Sequence, residues 1–169
     1  MHCQGFPAQV NDPCTVLVLG SMPGIASLQA GQYYAHPRNR FWPLMGLLCG
    51  FDAALPYEQR LRALQASGGG LWDVIGQCRR RGSLDAHIER GSEVPNALPA
   101  LLARLPRLQL VACNGAAAFQ AWQRFIAPDL AKSPPVLSLP STSPANAAWS
   151  LPRLRTAWAP AATALAAHG

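Results

Sequence analysis

Lysine is almost missing from this sequence: of its 14 basic residues only Lys132 is a lysine, and the other thirteen are arginine. A reaction through a Schiff base needs an amine nucleophile, and the sole side-chain candidate lies beside Ser133-Pro134-Pro135, away from every motif described below. Acidic residues are also few, and the net charge of +6 with a pI near 9.6 favours a polyanionic partner. Arginine suits bidentate contact with phosphate, although an Arg-, Ala- and Pro-rich composition also follows from a GC-rich genome. No apolar run approaches the ~20 residues of a membrane span, so no membrane partner is expected. Met1 to Pro7 has no charged stretch leading into an apolar one, so no secretory signal is expected. The five cysteines, Cys3, Cys14, Cys49, Cys78 and Cys113, include no pair two to four residues apart. That spacing argues against a zinc ribbon, and neither metal nor cofactor is expected. Cys49, Cys78 and Cys113 sit among apolar residues and read as buried thiols, for which a reducing cytoplasm is the simplest setting.

What is present is apolar and periodic. Half of the 169 residues are hydrophobic, enough for a single domain with its own core, residues 1–169. Four short apolar runs without strict alternation suit strands buried on both faces: Thr15–Leu19, Leu71–Ile75, Gln109–Cys113 and Val136–Leu139. Helical patterns fall between them. Phe41–Cys49 is apolar nearly all round; Tyr57, Leu61 and Leu64 share a face, as do Leu98, Leu101, Leu102 and Leu105, and Phe119, Trp122 and Ile126. Ser150 is placed to cap a last helix with Pro152 in its first turn, and Pro160 must kink or shorten that helix. Alternating strands and helices predict an α/β fold with a parallel sheet covered on both sides, and a ligand beyond the C-terminal strand ends. Those ends are Gly20-Ser21-Met22-Pro23-Gly24, Asp73, Asn114-Gly115 and the run from Pro140 to Asn146, all small, polar or turn-forming.

The segment Gly20–Trp42, GSMPGIASLQAGQYYAHPRNRFW, reads as about twenty residues of loop between a strand and a helix, long enough to suggest function. Its aromatics, His, Arg and Asn can stack a flat ring, hydrogen-bond it and hold a phosphate. Phe41 and Trp42 are read as core because they start an apolar helix; Tyr34, His36 and Asn39 are read as functional because they lie in the loop. The glycines do not form G-x-G-x-x-G and no GK[ST] follows, so a nucleotide cofactor is not indicated. A second stretch, Leu139–Ala147, is a stiff polar loop of hydroxyls and prolines that suits contact with a DNA backbone. Arg79-Arg80-Arg81 is the densest positive run, read either as solvated surface or as phosphate contact.

GSMPG-x-x-SL, QYYAHPRNRFW, LWDVIGQC, RGSLD, CNG and PSTSPANA follow one another in the order seen in the hypoxanthine-DNA (DNA-deoxyinosine) glycosylases. The chain resembles that family of the uracil-DNA glycosylase superfamily from about Gly5 to Trp158. AHPRNRFW also resembles the matching stretch of the mismatch-specific uracil-DNA glycosylases. The resemblance implies a three-layer α/β/α sandwich around a four-stranded, mostly parallel sheet, with a pocket for a flipped nucleotide. The expected partner is double-stranded DNA that contains a deaminated base, and a monomer is expected. Many superfamily members carry Asp or Asn where Met22 stands, and His or Asn where Ser141 stands. With the usual water activator and His both absent, the resemblance makes Asn39 the catalytic amide and Tyr34 the aromatic that stacks on the base. Gly20, Ser21, Met22, Pro23, His36, Asp73, Asn114, Ser141 and Ser143 are the expected base-binding set. Arg38, Arg79, Arg80, Arg81, Ala145 and Asn146 are the expected DNA contacts, with the Ala145-Asn146 tip filling the gap in the duplex.

Deamination replaces an amino donor by a carbonyl acceptor and turns a neighbouring ring nitrogen into a donor. Hypoxanthine and uracil therefore share an edge that one oriented amide can distinguish from adenine and cytosine. The expected reaction is monofunctional hydrolysis of the glycosidic bond, leaving an abasic site. A uracil-preferring enzyme and a catalytically inactive lesion-binding module are the alternatives.

Overall fold

The structure is a computed structural model that describes residues 1–166. Its centre is a four-stranded sheet in the order β3-β2-β6-β7, formed by β2 (Val16–Gly20), β3 (Gly69–Asp73), β6 (Leu110–Asn114) and β7 (Val136–Leu139). All three pairings are parallel. β2 is central and wholly buried, which is why it reads as VLVLG with no polar face.

Side chains alternate across the sheet and separate two cores. Val16, Val18, Leu71, Leu110, Ala112 and Leu139 pack on one face. There they meet α2 (Phe41–Cys49), α3 (Tyr57–Ala66), α6 (Leu151–Ala157) and α7 (Ala159–Ala166). Leu17, Leu19, Val111 and Cys113 pack on the other face. They meet α4 (Leu98–Leu102), α5 (Ala116–Ala121) and the π-helical turn Trp122–Ile126 that continues it. Helices cover both faces of the parallel sheet, as the alternating pattern predicts, and make the three-layer α/β/α sandwich that the resemblance implies. Ser150 caps α6 by accepting from the Arg153 N–H (3.3 Å), and Pro152 lies in its first turn. The helix ends at Ala157 and α7 restarts at Ala159, so Pro160 falls in the first turn of a new helix, where it is tolerated.

Three expectations need correction. The run Leu71–Ile75 spans two strands: β3 ends at Asp73, and after Val74 the chain enters β4 (Ile75–Arg79). β4 lies in a second, antiparallel sheet between β1 (His2–Gln4) and β5 (Val94–Pro95). The long loop after β2 is not all loop, because Ile25–Ala30 forms α1. Tertiary contact makes so short a helix possible: the Ser83 hydroxyl accepts the Ile25 N–H at 2.8 Å. Gly31, at φ +65°, closes its far end in the left-handed conformation. Arg80 is buried at 2% exposure rather than lying on the surface.

Candidate active site

A cleft of about 330 Å³ opens beyond the C-terminal ends of the parallel strands. Each strand end contributes to it or leads directly into it: Gly20 from β2, Asp73 from β3, Asn114 from β6, and Ser141 to Ala145 after β7. The cleft is therefore where a doubly covered parallel sheet puts its ligand. Of the expected base-binding residues, Gly20, Ser21, Met22, Pro23, Tyr34, His36, Asp73, Asn114, Ser141 and Ser143 all line it, and so does Asn39.

The segment Tyr33–Trp42 makes one wall. Trp42 donates its indole N–H to the Tyr33 carbonyl (2.9 Å), and the Tyr57 hydroxyl accepts the Tyr33 N–H (3.0 Å). These anchors hold Tyr34 at φ +56°, the one non-glycine residue with positive φ among those described. Its ring stacks on Phe41 with centroids 4.0 Å apart, so the core residue Phe41 backs the ring that faces the cleft. Burial, and then the nearby Asp73, raise the Tyr34 hydroxyl above its ordinary pKa, which keeps it a neutral O–H.

Asn39 uses its Oδ1 to accept the Phe41 N–H (2.9 Å) at the start of α2. That bond fixes the orientation of the amide, because only the oxygen can receive an N–H. What Asn39 offers to a ligand is therefore its Nδ2 donor pair. His36 is oriented in the same way: its Nδ1 accepts the Arg38 N–H (3.1 Å), so the proton of the neutral ring sits on Nε2.

The opposite wall is the loop after β7, and it is held by its own polar groups. Ser141 Oγ accepts from the Ser143 N–H, Ser143 Oγ from the Ala145 N–H, and Asn146 Nδ2 donates to the Ser141 carbonyl. Asn114 spends both ends of its amide on the buried Thr142, accepting from its N–H and donating to its hydroxyl at 3.0 Å each. Asn114 thus orients the wall more than it presents a free group. Asn146 is folded back in the same manner, and Ala145 is the exposed member of the tip.

The two walls are joined by Arg40, a residue not singled out from the sequence. Its Nη2 donates to the carbonyls of Ser143 (2.8 Å) and Asn146 (3.1 Å), and its N–H donates to the Thr142 carbonyl (3.1 Å). Ser83 and Asp85, also missed, come from the RGSLD piece; Asp85 accepts from the Ser21 hydroxyl and Ser83 caps α1. The motif's position after a strand is the signal that could have placed them at the cleft.

The expected DNA contacts divide. Arg38 and Arg81 are exposed. Arg79 is exposed but paired with Glu89 at 3.1 Å. Arg80 points inward, where its Nη2 donates to the Pro23 carbonyl while Nε and Nη1 have no partner among the described residues. Its charge acts on the cleft, not on a phosphate.

Asp73 is 4% exposed and its Oδ2 is buried without a partner among the described residues. Burial first, and then the like charge of Asp85, push its carboxyl up to about 7, with Arg80 pulling in the opposite direction. An acid whose pKa rises on folding loses stability as pH climbs from its unfolded value, 3.8, through its folded value. At 1.36 kcal/mol per pKa unit the loss saturates above the folded pKa at about 4 kcal/mol as an upper bound. Asp73→Asn removes the titration. Its melting temperature relative to wild type should therefore be higher at pH 8.5 than at pH 5, and thermal denaturation at the two values checks this. A difference that does not change with pH would show that Asp73 titrates normally.

The chain matches the family model "Uracil DNA glycosylase superfamily" over residues 7–162. It is 40% identical over 116 residues to a curated protein named "Hypoxanthine DNA glycosylase" from Methanosarcina barkeri, covering 68% of this chain and 72% of that protein. A second protein of the same name, from Methanosarcina acetivorans, is 38% identical over 113 residues, covering 66% of this chain and 70% of its own length. The fold superposes with a TM-score of 0.81 and 30% identity on a solution NMR structure from M. acetivorans provisionally described as a uracil DNA glycosylase, with 99% of each chain covered.

Proposed function

Because the chain belongs to the uracil DNA glycosylase superfamily, we propose that it is a monofunctional DNA glycosylase that hydrolyses the N-glycosidic bond of deoxyinosine in double-stranded DNA. The observation that carries this reading is the convergence of Tyr34, His36, Asn39 and Ser141 on one cleft at the strand ends. Relatives named for hypoxanthine support the choice of base.

The target must leave the stack to enter such a cleft. Tyr34, backed by Phe41, supplies a face for the flipped base. Asn39 presents its amide N–H groups to an acceptor on the base, which a deaminated edge supplies with its carbonyl. Ser21 and the His36 Nε2–H are further polar partners. A normal base would leave a donor facing a donor, at roughly 1–3 kcal/mol per unsatisfied group. An amide is a poor base, but a glycosidic bond can break dissociatively. The site then has to stabilise the departing base and the cationic sugar, not generate hydroxide. Arg38 and Arg81 meet phosphates, Ala145 lies against the duplex gap, and the enzyme works as a monomer in the cytoplasm. With Lys132 remote from the cleft, no Schiff-base step follows and the product is an intact strand with an abasic site.

The test is base release from duplex oligonucleotides carrying a single deoxyinosine or a single deoxyuridine. Hypoxanthine is expected to be released, with the strand intact until alkali is added. Faster release of uracil would assign the protein to the uracil-preferring branch, and no release from either lesion would overturn the reading.

A further inference from the structure

The carboxyl of Asp73 has no role in the mechanism above, yet it lies at the base of the cleft. Asp73 ends β3, level with Gly20 at the end of β2, and the missing side chain of Gly20 makes room for it: a Cβ there would overlap Asp73 Oδ1. The groups around it are few. Asp85 contributes a like charge, and Arg80, on the segment after β4, an opposite one. The Tyr34 hydroxyl lies close by, whereas that of Tyr33 donates to the Pro7 carbonyl (2.9 Å); both are raised well above their ordinary range by burial first and then by Asp73. Asn96, from the segment before α4, bonds only its backbone carbonyl (2.7 Å). Among the described residues nothing donates a hydrogen bond to Oδ2.

A buried ionised carboxylate would demand donors on both oxygens, and this one lacks them. A neutral carboxylic acid demands much less: it carries one O–H and seeks one acceptor. Among the described residues none supplies such an acceptor; Oδ2 is shut inside the protein, and Oδ1 is the oxygen that a bound base can reach.

We propose that Asp73 is the general acid of the reaction, donating its proton to an acceptor nitrogen, N7 or N3, of the departing purine. This rests on the deoxyinosine reading above. As the C1′–N9 bond breaks, its electron pair stays with the base, and the proton from Asp73 makes that base leave as neutral hypoxanthine. A water oxygen then bonds to C1′, and the proton it sheds returns to the Asp73 carboxylate. One water is consumed and the enzyme is restored. The assignment also bears on base choice. A purine nucleotide has two unprotonated ring nitrogens apart from N1, whereas in deoxyuridine one ring nitrogen carries the sugar and the other a hydrogen. An acid at this position assists purine departure and has no ring nitrogen to serve in a pyrimidine.

The experiment is single-turnover release from duplexes containing deoxyinosine, 7-deazadeoxyinosine or 3-deazadeoxyinosine between pH 5 and 9, with wild type and Asp73→Asn. Wild type should slow toward tenfold per pH unit above about 7. Asp73→Asn should be roughly 10²–10³-fold slower at pH 6, within the usual range for loss of a general acid, and its profile should be flat. One of the two deaza substrates should be slow with wild type and should show no further loss in the variant, which identifies the nitrogen protonated. That arm uses the unaltered enzyme, so it stands even if the variant folds poorly. A rate that rises through neutral pH, a profile unchanged in Asp73→Asn, or two deaza substrates that are both cleaved like deoxyinosine would overturn the assignment. Absence of hypoxanthine release by wild type at every pH would instead overturn the deoxyinosine reading itself.

Discussion

Replacing Asn39 by Ala is expected to slow hypoxanthine release by roughly 10²–10³-fold, the loss typical when one preorganised donor is removed from a site of developing charge. The side chain has two separable tasks. Its Oδ1 holds the Phe41 N–H at the head of α2, and its Nδ2 is the group offered to the cleft. Losing the first task should cost about 1 kcal/mol, as for a helix cap, and lower the melting temperature by a few degrees. Asn39→Asp separates the two, since it keeps an oxygen for Phe41 but has no donor. It should melt close to wild type and remain as slow as Asn39→Ala, with deoxyinosine duplex binding by anisotropy within a few-fold for both. An Asn39→Asp enzyme with near-normal turnover would exclude a donor role for the amide.

Gly20→Ala should be nearly as damaging, through a methyl group that collides with the protein itself. The Gly20 backbone cannot yield, because its carbonyl accepts the Val74 N–H at 2.9 Å and the residue is paired in register with Asp73. The added Cβ overlaps Asp73 Oδ1 and comes within 3.4 Å of the Tyr34 hydroxyl. Asp73 must therefore shift, and it does so in a packed site with the Tyr34 hydroxyl already at van der Waals distance from the new methyl. Overpacking of this kind costs about 1–3 kcal/mol, and a displacement of about 1 Å at reacting groups costs on the order of 10²-fold in rate. A folded Gly20→Ala protein with at least a hundredfold slower hypoxanthine release is the expected outcome. Activity within threefold of wild type would mean that the spacing of these three residues is not critical.

The parts of the molecule that were legible in the sequence are those where local pattern and tertiary environment agree. β2 and β6 are buried on both faces, so burial appears as unbroken apolar runs; α2 is apolar nearly all round, and α3 carries a stripe of helical period. The strand ends pointed to the cleft because a parallel sheet leaves one place for it. What was not legible depends on partners distant in the chain. β5 has two residues and exists only because β4 is beside it. α1 begins on a hydroxyl 58 residues away. The run Arg79-Arg80-Arg81 reads as uniform charge, but its members have three different environments: one paired, one buried, one exposed. Asp73 was recognisable as a strand-end residue, whereas its missing hydrogen-bond partner is a property of the assembled pocket.

Arg40 carries a consequence for the width of the cleft. One guanidinium and one backbone N–H tie the Tyr33–Trp42 segment to the loop after β7, across more than a hundred residues of chain. The spacing between the Tyr34 ring and the Ser141–Ser143 hydroxyls therefore depends on one side chain and one peptide group. Shortening that side chain frees two carbonyls at once and leaves the bond from the Arg40 N–H to Thr142 as the tie, so Arg40 is the gauge of the cleft.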